Sequence, residues 1–149
     1  MGSTSRTAAV GDGQWRRLLD SHDRIAWELI DRHRGTIVKS TGDGVLARFD
    51  APSHALEFSL EFRRALAELG IQIRCGLHTG EVEIRENGDI VGTAVNLAAR
   101  VEQAADDGTI LVSSTVRDLL LGGQPHFSDR GEYRLQGFDQ PWHLFALTE

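Results

Sequence analysis

Between residues 36 and 49, two short apolar runs flank Thr41-Gly42-Asp43-Gly44, and a long helical pattern stands on each side of them. No other feature constrains the fold as much. Thr36-Ile37-Val38-Lys39-Ser40 and Val45-Leu46-Ala47-Arg48-Phe49, joined by a glycine-aspartate-glycine core, read as a β-hairpin. Upstream, Trp15, Leu18, Leu19, His22, Ile25, Ala26, Leu29 and Ile30 recur at three- and four-residue intervals, the period of an amphipathic helix. Asp12 is its predicted N-cap and Gly35 its predicted C-terminal glycine. Downstream, Asp50-Ala51-Pro52 opens a second helix, with proline placed where its missing N–H costs nothing. That helix should turn Ala55, Phe58, Phe62, Ala65, Leu66 and Leu69 inward and stop at Gly70.

The remaining sequence alternates in the same way. Ile71 to Thr79 reads as a strand, Gly80 turns into a short strand at Val82 and Ile84, and Asn87-Gly88 marks a turn. A third helix is predicted from about Thr93 to Ala104, then a buried strand Ile110-Leu111-Val112 and a short helix from Val116 to Leu121. Two last strands are predicted near Tyr133–Leu135 and Trp142–Leu147. Helices alternating with strands and hairpins predict an α+β sandwich on a mostly antiparallel sheet.

A chain of 149 residues suits one domain with a single core. Its net charge of −6 argues against a sequence-independent grip on nucleic acid, which depends on neutralising phosphates. It does not forbid a local basic pocket for one nucleotide. No apolar run approaches the ~18 residues of a membrane span, and the first residues lack the apolar stretch of a signal peptide, so a cytoplasmic location is expected. The lone Cys75 sits in an apolar alternating run and reads as a small core residue.

Taken singly, the candidate chemical groups are ambiguous. Thr41-Gly42-Asp43-Gly44 is either a tight turn or a hairpin tip whose carboxylate binds a hard divalent cation. Asn96 and Arg100, four apart, share a helix face that is either solvated or functional. Asp89 fits a plain turn, and Lys39 fits a solvent-facing strand position. His78 has no second ligand at metal spacing and reads as structural.

In succession they carry more. Val38-Lys39-Ser40-Thr41-Gly42-Asp43-Gly44 is followed by Gly76-Leu77-His78-Thr79-Gly80-Glu81-Val82. Then comes Asp89-Ile90-Val91-Gly92-Thr93-Ala94-Val95-Asn96-Leu97-Ala98-Ala99-Arg100-Val101. This order resembles the class III nucleotidyl cyclases, the adenylate and guanylate cyclases, over about residues 2 to 147. The tail motifs Ile110-Leu111-Val112-Ser113, Phe127-Ser128-Asp129-Arg130-Gly131 and Trp142-His143-Leu144-Phe145 resemble the bacterial branch.

The resemblance implies a ferredoxin-like palm sandwich and conversion of ATP to cyclic AMP and pyrophosphate. The cofactors it implies are two Mg²⁺ or Mn²⁺ ions held between two aspartates, of which Asp43 matches the second. Lys39 and Asp89 match the pair that reads the base. Adenine offers an acceptor at N1 and a donor at N6, which suits a lysine beside a carboxylate, so ATP is expected over GTP. Asn96 matches the residue that orients the ribose, and Arg100 the one that stabilises charge building on the α-phosphate. The implied partner is a second copy in a head-to-tail homodimer, with Asp43 from one chain and Lys39, Asp89, Asn96 and Arg100 from the other.

The sequence departs from the family pattern in two places. Gly2-Ser3-Thr4 matches the end of a first-strand motif whose metal aspartate would lie just upstream, and Met1 stands where a valine is usual. The expected domain is therefore an N-terminally truncated catalytic domain over residues 1–149, with the first central strand missing. A start assigned at an internal GTG codon would produce such an N-terminus. A poorly stable chain with weak or no turnover is expected. Second, Gln136-Gly137 replaces a Lys-Gly whose lysine reaches the triphosphate. A non-catalytic module that binds nucleotide or dimerises to regulate a partner domain is the other reading. A diguanylate cyclase needs a Gly-Gly-(Asp or Glu)-Glu-Phe hairpin and is discarded.

Overall fold

The computed structural model describes residues 12–41, 44–123 and 125–148. The first helix, α1 (Asp12–Arg32), buries His22, Ala26, Leu29 and Ile30 along one face, as its period predicts. Its end differs from expectation. The left-handed residue is Arg34, at φ 64°, and Gly35 instead begins strand β1 (Gly35–Thr41). Gly35 is needed for space: a Cβ there would drive into the ring of Phe49, its partner across the hairpin. Strand β2 (Gly44–Phe49) pairs antiparallel with β1.

Helix α2 (Pro52–Glu68) starts on Pro52 as predicted and buries Leu56, Phe58, Ser59, Phe62 and Leu66. Leu69 is a correction: it lies at the C-cap, where the helix ends just before the left-handed Gly70, and is exposed. Helices α1 and α2 meet where His22 points edge-on at Phe62, ring centroids 5.1 Å apart, and where Arg32 and His33 both reach Glu61.

The stretch predicted as one strand over 71–79 is shorter. Ile71, Ile73, Cys75 and Leu77 all point inward, so the alternation holds, but the ladder covers only β3 (Cys75–Leu77). Burial pushes the Cys75 thiol up to about 11, so it is an inert core group. A small hairpin follows, the exposed β4 (Glu83–Ile84) and β5 (Ile90–Val91), whose Ile90 is buried, around Gly88 at φ 88°. Helix α3 (Thr93–Ala104) occupies the predicted residues. It begins after Gly92, whose φ of 142° strains any side chain. Then come β6 (Ile110–Ser113), α4 (Ser114–Leu119), β7 (Phe127–Tyr133) and β8 (Trp142–Leu147). Strand β7 lies earlier than predicted, and Leu135 is buried in the turn after it rather than in the ladder.

The larger sheet has the order β3-β6-β8-β7, with β3 and β6 parallel and the other pairs antiparallel. Strand β6 is buried on both faces, which is why it reads as an unbroken apolar run. Ile110 and Val112 join the cluster under α1 and α2, while Leu111 faces Leu97 and Val101 of α3 with Leu144 and Ala146. Helices therefore cover both faces of this sheet. The hairpin β1-β2 forms a separate two-stranded sheet. Among the described residues β2 and β3 end their respective sheets, and a cleft is lined by both. An α+β arrangement of helices on a mixed sheet is the fold class the sequence predicted.

Candidate functional site

A single displaced residue in β1 decides what the hairpin presents. Ile37 pairs with Ala47, and both pack on the core under the helices. Strict alternation would return Lys39 to that same face. The register slips between Ile37 and Lys39, so Lys39 pairs with Leu46, next to the buried Val45. The bulge thus turns Lys39 to the open face. Arg48, two residues beyond Leu46 and opposite Thr36, shares that face.

The hairpin borders a cleft of about 490 Å³, lined also by the start of α2, by the turn from Leu77 to Gly80 and by α3. Lys39 and Arg48 line it from one side, Asn96 and Glu102 from the other, and His78 from its end. Gly76 lets α3 approach: a Cβ at this position would fall on the backbone nitrogen of Glu102. Gly80 is similarly close, with a built Cβ only 2.8 Å from that of Ala94.

His78 has a structural role, as predicted. Its Nδ1 lies 2.7 Å from the Ser113 hydroxyl, and its ring stands edge-on to Trp142. Ser113 Oγ already accepts the Val116 amide as the N-cap of α4. Its own proton is then free to be donated to a neutral imidazole. Burial lowers the His78 pKa, which keeps the ring neutral.

The candidate residues are distributed unevenly. Lys39 and Asn96 line one cleft; Asp89 and Arg100 are not in its lining. Asp89 is half-buried in the β4-β5 turn, where its Oδ1 accepts the Ile90 amide at 2.9 Å and its own amide donates to Asn87 Oδ1 at 3.0 Å. Arg100 lies one turn along α3 from Asn96, and its Nη1 donates to Gln103 Oε1 at 2.9 Å. Four further N–H groups remain on that guanidinium. Asp43 lies outside the described residues. Gln136 is exposed beside Gly137, which has φ 91°. Two features escaped the sequence reading. The bulge at Val38 carries no compositional signal. Arg48 does, as the one charge inside the run from Val45 to Phe49.

The sequence profile of the adenylate and guanylate cyclase catalytic domain matches residues 2–149. The chain belongs to the class III adenylate/guanylate cyclase family. Among relatives, the adenylate cyclase of Streptomyces coelicolor is 29% identical over 123 residues, 81% of this chain and 32% of that protein. Among solved cyclases, the adenylate/guanylate cyclase/hydrolase from Silicibacter pomeroyi superposes with a TM-score of 0.84 at 28% identity, covering 99% of this chain and 94% of that one. The adenylyl cyclase CyaB from P. aeruginosa superposes at 0.85 with 20% identity, covering 99% and 91%. The chain spans 23% to 45% of the length of the curated relatives it matches.

Class III cyclase chemistry draws on divalent cations. Among the described residues no group of three or more histidine, cysteine, aspartate or glutamate side chains is arranged to hold one. These residues alone do not fit a two-ion centre. No helix among them is long and apolar enough to cross a membrane.

Proposed function

We propose that this domain binds ATP and, in a head-to-tail homodimer, converts it to cyclic AMP and pyrophosphate. The observation that carries the reading is that Lys39 and Asn96, distant in sequence and on different elements, line the same cleft. In the reaction a bond forms from the ribose O3′ to the α-phosphorus while the bond from that phosphorus to the pyrophosphate oxygen breaks. The 3′-hydroxyl proton is lost.

In this reading each side chain has one task. Lys39 donates to adenine N1, and the Asp89 oxygen not engaged by Ile90 accepts from N6. The turn bonds around Asp89 hold that carboxylate in place before ligand arrives. Asn96 orients the ribose. Arg100, with N–H groups beyond the one on Gln103, meets the charge that builds on the α-phosphate. Asp43 is the proposed carboxylate for Mg²⁺ or Mn²⁺, and the described residues supply no full ligand set beside it. Nucleotide binding is the sharper test.

Equilibrium titration of the full chain with ATP and GTP, in the presence of Mn²⁺, tests the proposal. Wild type should prefer ATP by about tenfold or more, the worth of one well-placed pair of hydrogen bonds. Lys39→Ala should abolish that preference. Equal affinity for both nucleotides, or a Lys39→Ala variant that still discriminates, would contradict the reading. Tight binding of ATP with no cyclic product in any dimeric form would mark a binding module.

A further inference from the structure

Arg48 is the group in the cleft that no assignment above uses. It sits on the open face of β2, two residues from Leu46, which pairs with Lys39. Diagonal neighbours of this kind stand roughly 7–8 Å apart, within reach of long side chains. Its Nε is buried and has no hydrogen-bond partner among the described residues. An unpaired buried donor on a permanent cation is costly, and an anionic ligand would remove the cost. The carboxylates lining the same cleft are Asp50, which is exposed, and Glu102, which faces Arg74 at 4.0 Å. The chain also carries a neutral Gln136 where the family resemblance led us to expect a lysine.

We propose that Arg48 is a phosphate-binding residue of the cleft, taking a non-bridging oxygen of the nucleotide's phosphate chain while Lys39 holds the base. The proposal rests on the nucleotide reading above. A guanidinium suits the task because its planar fork can hold two phosphate oxygens at once and stays charged at any working pH. The cation that position 136 lacks is thereby supplied from the opposite side of the site, by the hairpin.

The test is calorimetric titration of the full chain, wild type and variants, with three probes: ATP, adenosine and inorganic tripolyphosphate. Arg48→Ala should weaken ATP and tripolyphosphate about tenfold or more and leave adenosine unchanged. Arg48→Lys should recover part of the loss, since it restores charge without the fork. Circular dichroism and thermal melting establish that each variant is folded. Arg48→Gln, which keeps much of the stem and a donor, takes the place of the alanine variant if that one unfolds. Two results would overturn the proposal: ATP binding unaffected by loss of Arg48, or adenosine weakened as much as ATP, which would place Arg48 at the base. The parent reading fails by a different outcome, a wild-type chain that binds neither ATP nor adenosine.

Discussion

His78 shows how one side chain ties the cleft to the core. It borders the cleft, bonds Ser113 and leans on Trp142, so it connects β3 to the N-cap of α4 and to β8. Its pKa is lowered by burial from the usual 6.5. The unfolded chain therefore binds a proton more readily than the folded one between the lowered value and 6.5. Stability from a neutral His78 is complete above 6.5 and declines as pH falls through the folded-state value. Protonation would also turn Nδ1 into a donor facing a hydroxyl that now gives its proton to it. Thermal melts from about pH 8 to about pH 5 should show wild type losing more stability than His78→Gln, which cannot titrate. A parallel pH dependence in both proteins would remove His78 from this role. The candidate side chains could be named as residue types in a fixed order, because their order follows the chain. Where each one points was not, because pairing register decides that.

At the scale of elements, period and punctuation carried most of the information. Helix α3 occupies the predicted residues because apolar positions at Leu97 and Val101 recur at helical spacing after Gly92. Strand β6 was legible as an apolar run because both its faces are covered. The errors fall where tertiary contact overrides local signal. Gly35 reads as a helix stop, yet it is needed for the Phe49 ring. Strand β7 contains Asp129, Arg130 and Glu132, whose polarity hides a ladder fixed by pairing with β8. The close approach of α3 to Gly76 carries a prediction of its own. Gly76→Ala places a methyl on the α3 backbone, which cannot yield as a flexible side chain can. Overpacking of this kind costs about 1–3 kcal/mol. Denaturant unfolding should show a loss of that order with an unchanged slope. A variant as stable as wild type would mean that α3 moves freely away from β3, and that the α3 wall of the cleft is not rigid.

Among the described residues the molecule is an α+β sandwich of a four-stranded sheet covered on both faces, a hairpin β1-β2 that shares its core but not its ladder, and the small hairpin β4-β5. The family was legible from motif order, and the fold followed from it. Among the described residues the sheet is divided at β2 and β3. Its consequence, a cleft that opens onto Lys39, Arg48 and Asn96 together, needed coordinates. Asp89 and Arg100 stand outside the lining of that cleft. The most direct measurement of the central claim is a backbone amide NMR titration of the full chain with ATP. The account predicts shifts concentrated along β1 near Lys39, along β2 near Arg48 and on α3 near Asn96, extending to Arg100. Shifts confined to other surfaces, with these three segments unchanged at saturating ATP, would contradict it.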